Sequence, residues 1–238
     1  MTMQFEDYVK SIVPSGPAAL GGSGAVNCTP LLQAIDAYKL VLQADGYIRR
    51  YWGDIWDSHT FDMAVPASSQ AKLYQVPLGS FGKTIQQTNF WGSGLMPDRN
   101  AMFIHSIALN IVPPIDLSSP ATDWWDQLMI QQNLYINCRK NQAMYGEWMA
   151  VRLPLGGGPS LFTTPNFAGT AGVTMNNGWP GKEAAMREFI PIVLSPLEQF
   201  EWNLQIDPNA WTAITNHHAT AQIFVQLFLE GEIYTKVQ

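Results

Sequence analysis

The sequence predicts an all-β protein whose strands pack as a sandwich, and three observations carry that reading. From residue 72 onward, strand-like runs recur between Gly, Pro, Asn and Asp residues. Several runs alternate apolar and polar side chains with a period near two, the pattern of antiparallel strands with one face buried. No helical stretch is predicted between them, so parallel β-α-β units are unsupported.

The predicted strands span 72–78, 84–91, 101–112, 127–137, 145–153, 187–194, 199–206 and 220–235. Phe200, Trp202, Leu204 and Ile206 alternate strictly, as do Ile223, Val225, Leu227 and Leu229. Phe103, Ile104, Ile107, Leu109 and Ile111 keep only near-period two. Eight antiparallel strands suit the two four-stranded sheets of a jelly roll. The expected division is a jelly-roll sandwich at 71–238 preceded by an N-terminal arm at 1–70.

Within the arm, residues 14–25 (PSGPAALGGSGA) read as a flexible linker. A helix is predicted at about 30–45, with Thr29 as N-cap and Pro30 at the first helical position. Leu31, Leu32, Ile35, Tyr38, Val41 and Leu42 make its apolar face, and Gly46 its C-terminal stop. Tyr51, Trp52, Trp56 and Phe61 follow as an aromatic cluster, read either as packing for the helix or as an arm that docks under a neighbouring subunit.

Only 13% of the 238 residues are charged, about half the usual ~25%. Charge is depleted and aromatics are enriched at interface cores, so this composition fits a surface largely covered by neighbours. Net charge is −6, and 13 Lys and Arg are scattered against 19 Asp and Glu. Without a cationic cluster, strong direct nucleic-acid binding is not expected. Cys28 and Cys138 have no metal-like spacing and read as buried reduced thiols. The first residues lack the apolar core of a signal peptide, and the apolar run 102–115 is too short to span a bilayer.

The order of several short motifs resembles the coat proteins of icosahedral tailless bacteriophages. Thr88-Asn89-Phe90, then Gly92-Ser93-Gly94-Leu95-Met96-Pro97, leads into the strand beginning near Met102. Further along come Leu153-Pro154-Leu155-Gly156-Gly157-Gly158, Asn177-Gly178-Trp179-Pro180, the turn Leu194–Phe200, and Phe224–Leu229 with Glu230-Gly231. The resemblance covers about residues 72–238 and implies a jelly-roll capsid subunit that self-assembles into an icosahedral shell. It implies a structural virion protein, assembled in the host cytoplasm, whose partners are further copies, other virion proteins, and an internal membrane or scaffold. The loops 79–101, 154–186 and 207–219 are the expected contact regions. The alternative is a lectin-like, carbohydrate-binding sandwich or receptor-binding spike, with Trp124, Trp125 or Trp211 stacking on sugar rings.

Catalytic, cofactor-binding and metal-binding residues are all predicted to be absent, and no cofactor is expected. Gly21–Ala25 lacks the last glycine of a nucleophile elbow. Gly82-Lys83-Thr84 has Pro77 where a phosphate loop needs glycine, and Gly156–Gly158 has Leu161 where a dinucleotide fingerprint needs it. The adjacent His217 and His218 cannot chelate one ion from a strand; a turn would allow only a weak site. Glu198 and Glu201, three apart, would point to opposite faces of a strand and so could not serve as a glycosidase pair.

Overall fold

The computed structural model describes residues 4–12, 29–62, 70–112, 132–153, 160–165, 171–176, 186–217 and 222–237. Strands β1 (Tyr47–Asp62), β3 (Asn100–Val112), β8 (Met186–Leu194) and β10 (Gln222–Lys236) form one sheet in the order β1-β10-β3-β8. Strands β2 (Gln70–Leu73), β4 (Leu134–Lys140), β5 (Ala143–Met149) and β9 (Phe200–Ile206) form a second, in the order β2-β9-β4-β5. A separate hairpin pairs β6 (Ser160–Pro165) with β7 (Ala171–Asn176). The ladders are antiparallel and nested: β1 pairs with β10, β2 with β9, β3 with β8, and β4 with β5. Two further ladders, β10–β3 and β9–β4, complete the two sheets.

The apolar core lies between the sheets. Ile223, Val225, Leu227 and Leu229 of β10 and Trp202, Leu204 and Ile206 of β9 are completely buried in one cluster. Each such side chain contributes about 1.5–3 kcal/mol by leaving water. The near-period of β3 has a specific cause. Ser106 pairs with Glu230 and Ile104 with Gly231, leaving His105 as the extra residue of a β-bulge. The bulge resets the alternation, so Met102 and Ile104 before it and Ile107, Leu109 and Ile111 after it all join the same core.

Several sequence expectations need correction. The strand expected at 72–78 ends at Leu73, where Tyr74 takes φ 62°, and the one expected at 145–153 gives way to a 3-10 turn at Ala150–Arg152. The sandwich begins at Tyr47 rather than residue 71, because the supposed arm contributes β1, which pairs with β10 along most of its length. The run 84–91 is a turn-rich segment instead of a strand, held by side-chain bonds described below. The loop 207–219 contains helix α3 (Pro208–His217), started by Asp207, whose Oδ1 accepts bonds from the N–H groups of Asn209 and Ala210 at 2.8 and 3.3 Å.

Helix α1 (Phe5–Ile12) and helix α2 (Thr29–Ala44) cover part of the outer face of the first sheet. Ile35, Tyr38 and Leu42 of α2 pack with Phe5, Phe103 and Tyr234 in a second buried cluster. The helix thus falls where its periodicity placed it. Gly46 follows it at φ 86°, and the Gly46 N–H bonds the carbonyl of Gln43. Among the described residues no helix is long and apolar enough to cross a membrane.

Candidate interaction surface

β1 is an edge strand, and an edge with free backbone groups invites unwanted pairing. The connection between β2 and β3, residues 74–99, covers that edge. Asn89 acts as a surrogate strand: its Oδ1 accepts from the Trp56 N–H at 2.8 Å, and its Nδ2 donates to the Asp54 carbonyl at 3.0 Å. The Asn89 N–H and the Thr88 hydroxyl both donate to the Trp56 carbonyl. Phe90 then turns inward, packing edge-on against Tyr74 and Phe200 with ring centroids 5.5 and 5.4 Å away. The Thr88-Asn89-Phe90 motif is therefore a device for sealing an edge.

A buried charge anchors the same segment. Asp57 faces inward from β1 and is wholly buried, where an unpaired carboxylate would be costly. One of its oxygens binds the Lys83 ammonium and the other accepts from the Tyr74 N–H. Lys83 also donates to the Ser58 carbonyl at 2.9 Å. The Lys83 of the rejected phosphate-loop pattern is thus a structural tether.

The following glycines press the segment onto the turn between β8 and β9. A Cβ on Gly92 would lie 2.2 Å from the Leu95 carbonyl oxygen, so only glycine fits. The Phe200 N–H donates to the Gly94 carbonyl, and the Met96 N–H to that of Glu198. In that turn Glu198 is buried, accepts from the Ser195 N–H at 2.7 Å, and pairs with buried Lys140 at 3.0 Å. Burial raises the Glu198 pKa, with Lys140 opposing it. Two motifs far apart in sequence, 88–97 and 194–200, are consequently in direct contact.

This scaffold presents large apolar side chains outward, among uncharged polar ones such as Thr84 and Gln86. Phe81 is 96% exposed and Trp91 72%, and Ile85 is also exposed. Phe81 has φ 51°, a left-handed conformation costing a bulky residue on the order of 1 kcal/mol or more. The turn holding it is closed by bonds from the Ser80 N–H to the Pro77 carbonyl and from the Lys83 N–H to that of Ser80. Nearby, Leu95 and Leu197 are exposed beside the β8–β9 turn. Lys83 supplies the only charge in residues 74–97, and Asp57 neutralises it.

Among the described residues, those that the sequence suggested for chemistry are not brought together. Glu198 lies in a turn rather than on a strand, while Glu201 sits on the outer face of β9, paired with Lys72 at 2.9 Å. His217 ends α3, and His218 lies outside the described residues. Among the described residues no group of three or more His, Cys, Asp or Glu could hold a metal ion. Cys138 is a free buried thiol whose pKa burial pushes up to about 12. Trp211 is buried against Phe61 and cannot stack on a sugar; Trp124, Trp125, Cys28 and the Gly156 and Trp179 motifs fall outside the described residues. The loop 79–101 was an expected contact region, but which of its side chains point outward was not legible, because exposure has no period; Ser80-Phe81-Gly82, an aromatic inside a turn, was the one local signal. No protein-family model matches the chain, and no curated protein does either.

Proposed function

We propose that this chain is a jelly-roll coat subunit that assembles with copies of itself into an icosahedral phage shell. The nested ladders support the jelly roll: pairing β1–β10, β2–β9, β3–β8 and β4–β5 is one long antiparallel hairpin wrapped into two sheets. The observation that carries the coat reading is the exposure of Phe81, Ile85 and Trp91, here called the prong, along one segment tethered through Asp57 and Lys83. Exposed aromatics in a fixed, strained turn suit burial against a protein neighbour, because a preorganised loop loses little freedom on binding. The contact between the motifs that carry the family resemblance is a second support. On this reading the role is structural, without catalysis or cofactor. The partners are further copies, other virion proteins, and an internal membrane or scaffold; the location is the virion.

The test is particle size by light scattering and negative-stain imaging of the purified chain. Wild type should form large closed assemblies. The double variant Phe81→Ser, Trp91→Ser should remain as small species with an unchanged far-ultraviolet circular dichroism spectrum. Assemblies that survive the double variant, or a wild type that stays monomeric at high concentration, would overturn the proposal.

A further inference from the structure

The outer face of the second sheet carries a depression of about 480 Å³ lined by polar side chains. Strand alternation puts Gln70 and Lys72 of β2, Glu201, Asn203 and Gln205 of β9, and Asn137 and Arg139 of β4 on this face. The register aligns them in rows. Gln70 lies opposite Gln205, Lys72 opposite Asn203, Asn203 opposite Asn137, and Glu201 opposite Arg139. Rows on one face are about 7 Å apart along a strand and neighbours about 5 Å apart across it.

The middle of the grid is held in place. The Asn203 amide donates to Asn137 Oδ1 at 3.0 Å, and Lys72 Nζ donates to Glu201 Oε2 at 2.9 Å. Two cations, Lys72 and Arg139, line the depression against one carboxylate, Glu201, in a chain of net charge −6. Glu201 pairs with Lys72 and also lies directly opposite Arg139, so the two cations leave one net positive charge, on the side of Arg139. Its planar fork suits a carboxylate bound bidentately. Amides offer a donor and an acceptor side by side, as vicinal hydroxyls require.

We propose that this face binds an acidic glycan, with Asn137, Asn203 and Gln205 taking sugar hydroxyls and Arg139 taking the carboxylate. The site is on the opposite side of the second sheet from the core and uses no residue of the apolar prong. It therefore stands or falls independently of shell assembly, which is scored by particle size.

The experiment titrates the full chain with sialyllactose and with lactose, followed by saturation-transfer NMR, which tolerates particles of any size. Sialyllactose should bind at least about tenfold more tightly than lactose, equivalent to ~1.4 kcal/mol. Arg139→Gln should abolish that difference while lactose binding stays as it was. Asn137→Ala with Asn203→Ala should weaken both sugars by about tenfold or more, with the circular dichroism spectrum unchanged. Equal binding of the two sugars, or no transfer from either at about 10 mM, overturns the proposal. So does an Arg139→Gln protein that still prefers sialyllactose.

Discussion

Asp57 and Lys83 are 26 positions apart in sequence and joined in space, and their pairing has a measurable consequence. Lys83→Met would leave a wholly buried carboxylate without its cation. Breaking a buried pair in this way costs about 3–5 kcal/mol, whereas removing both charges together is often close to neutral. Urea melts should therefore show a large loss for Lys83→Met, and recovery of most of it in Asp57→Asn, Lys83→Met. His105 makes a second prediction. Burial lowers its pKa below the ordinary 6.5; Glu232 opposes the shift, and Lys39 and Arg49 add to it. Its neighbours are Glu232 Oε1 at 3.6 Å and the Trp52 ring at 4.8 Å. The unfolded chain takes up this proton at a higher pH than the folded one, so stability rises with pH through the window below 6.5 and is lost on acidification. His105→Gln should flatten the dependence of the urea midpoint between about pH 5 and 7.5. A residual slope is expected from His59, whose pKa burial and Lys83 also lower, against Asp57. Neither role was legible in the sequence, because isolated charged residues and histidines carry no period that reveals their partners.

Among the elements, β9 and β10 were readable because every inward position is apolar. β1 was not. Its inward positions include Ile55, Asp57, His59 and Phe61, so two polar groups interrupt the alternation that identifies a strand. The segment 84–91 failed in the opposite sense. It has the composition of a strand, but Thr88 and Asn89 bond the edge of β1 through side chains as well as backbone. For α3 the start signal Asp207-Pro208 was present in the sequence, inside a stretch read as loop. The bulge in β3 defines the third prediction. At Gly231, opposite the bulge, an added Cβ would lie 1.8 Å from the Phe103 carbonyl oxygen. Gly231→Ala should lower the melting temperature by several degrees or prevent folding, because backbone rather than a flexible side chain blocks the space. By contrast Gly79→Ala meets no atom within 4 Å and should lose only the cost of its positive φ, on the order of 1 kcal/mol.

Across the whole molecule, β10 lies between β1 and β3, and it is made last among the described strands. β1 has no other strand partner in its sheet, so residues 47–62 must wait for residues 222–236 before their ladder can form. Contacts between residues so far apart in sequence slow folding. A ribosome-bound chain halted before Gln222 should remain protease-sensitive throughout β1, and protection should appear in a single step once β10 has emerged. The anchor Asp57 and the edge that Asn89 seals both belong to β1, so the tethered prong cannot take its final shape any earlier. Translation thereby acts as a timer: the exposed aromatic surface is completed only after nearly the whole described chain has been made, when β1 is no longer an unpaired strand.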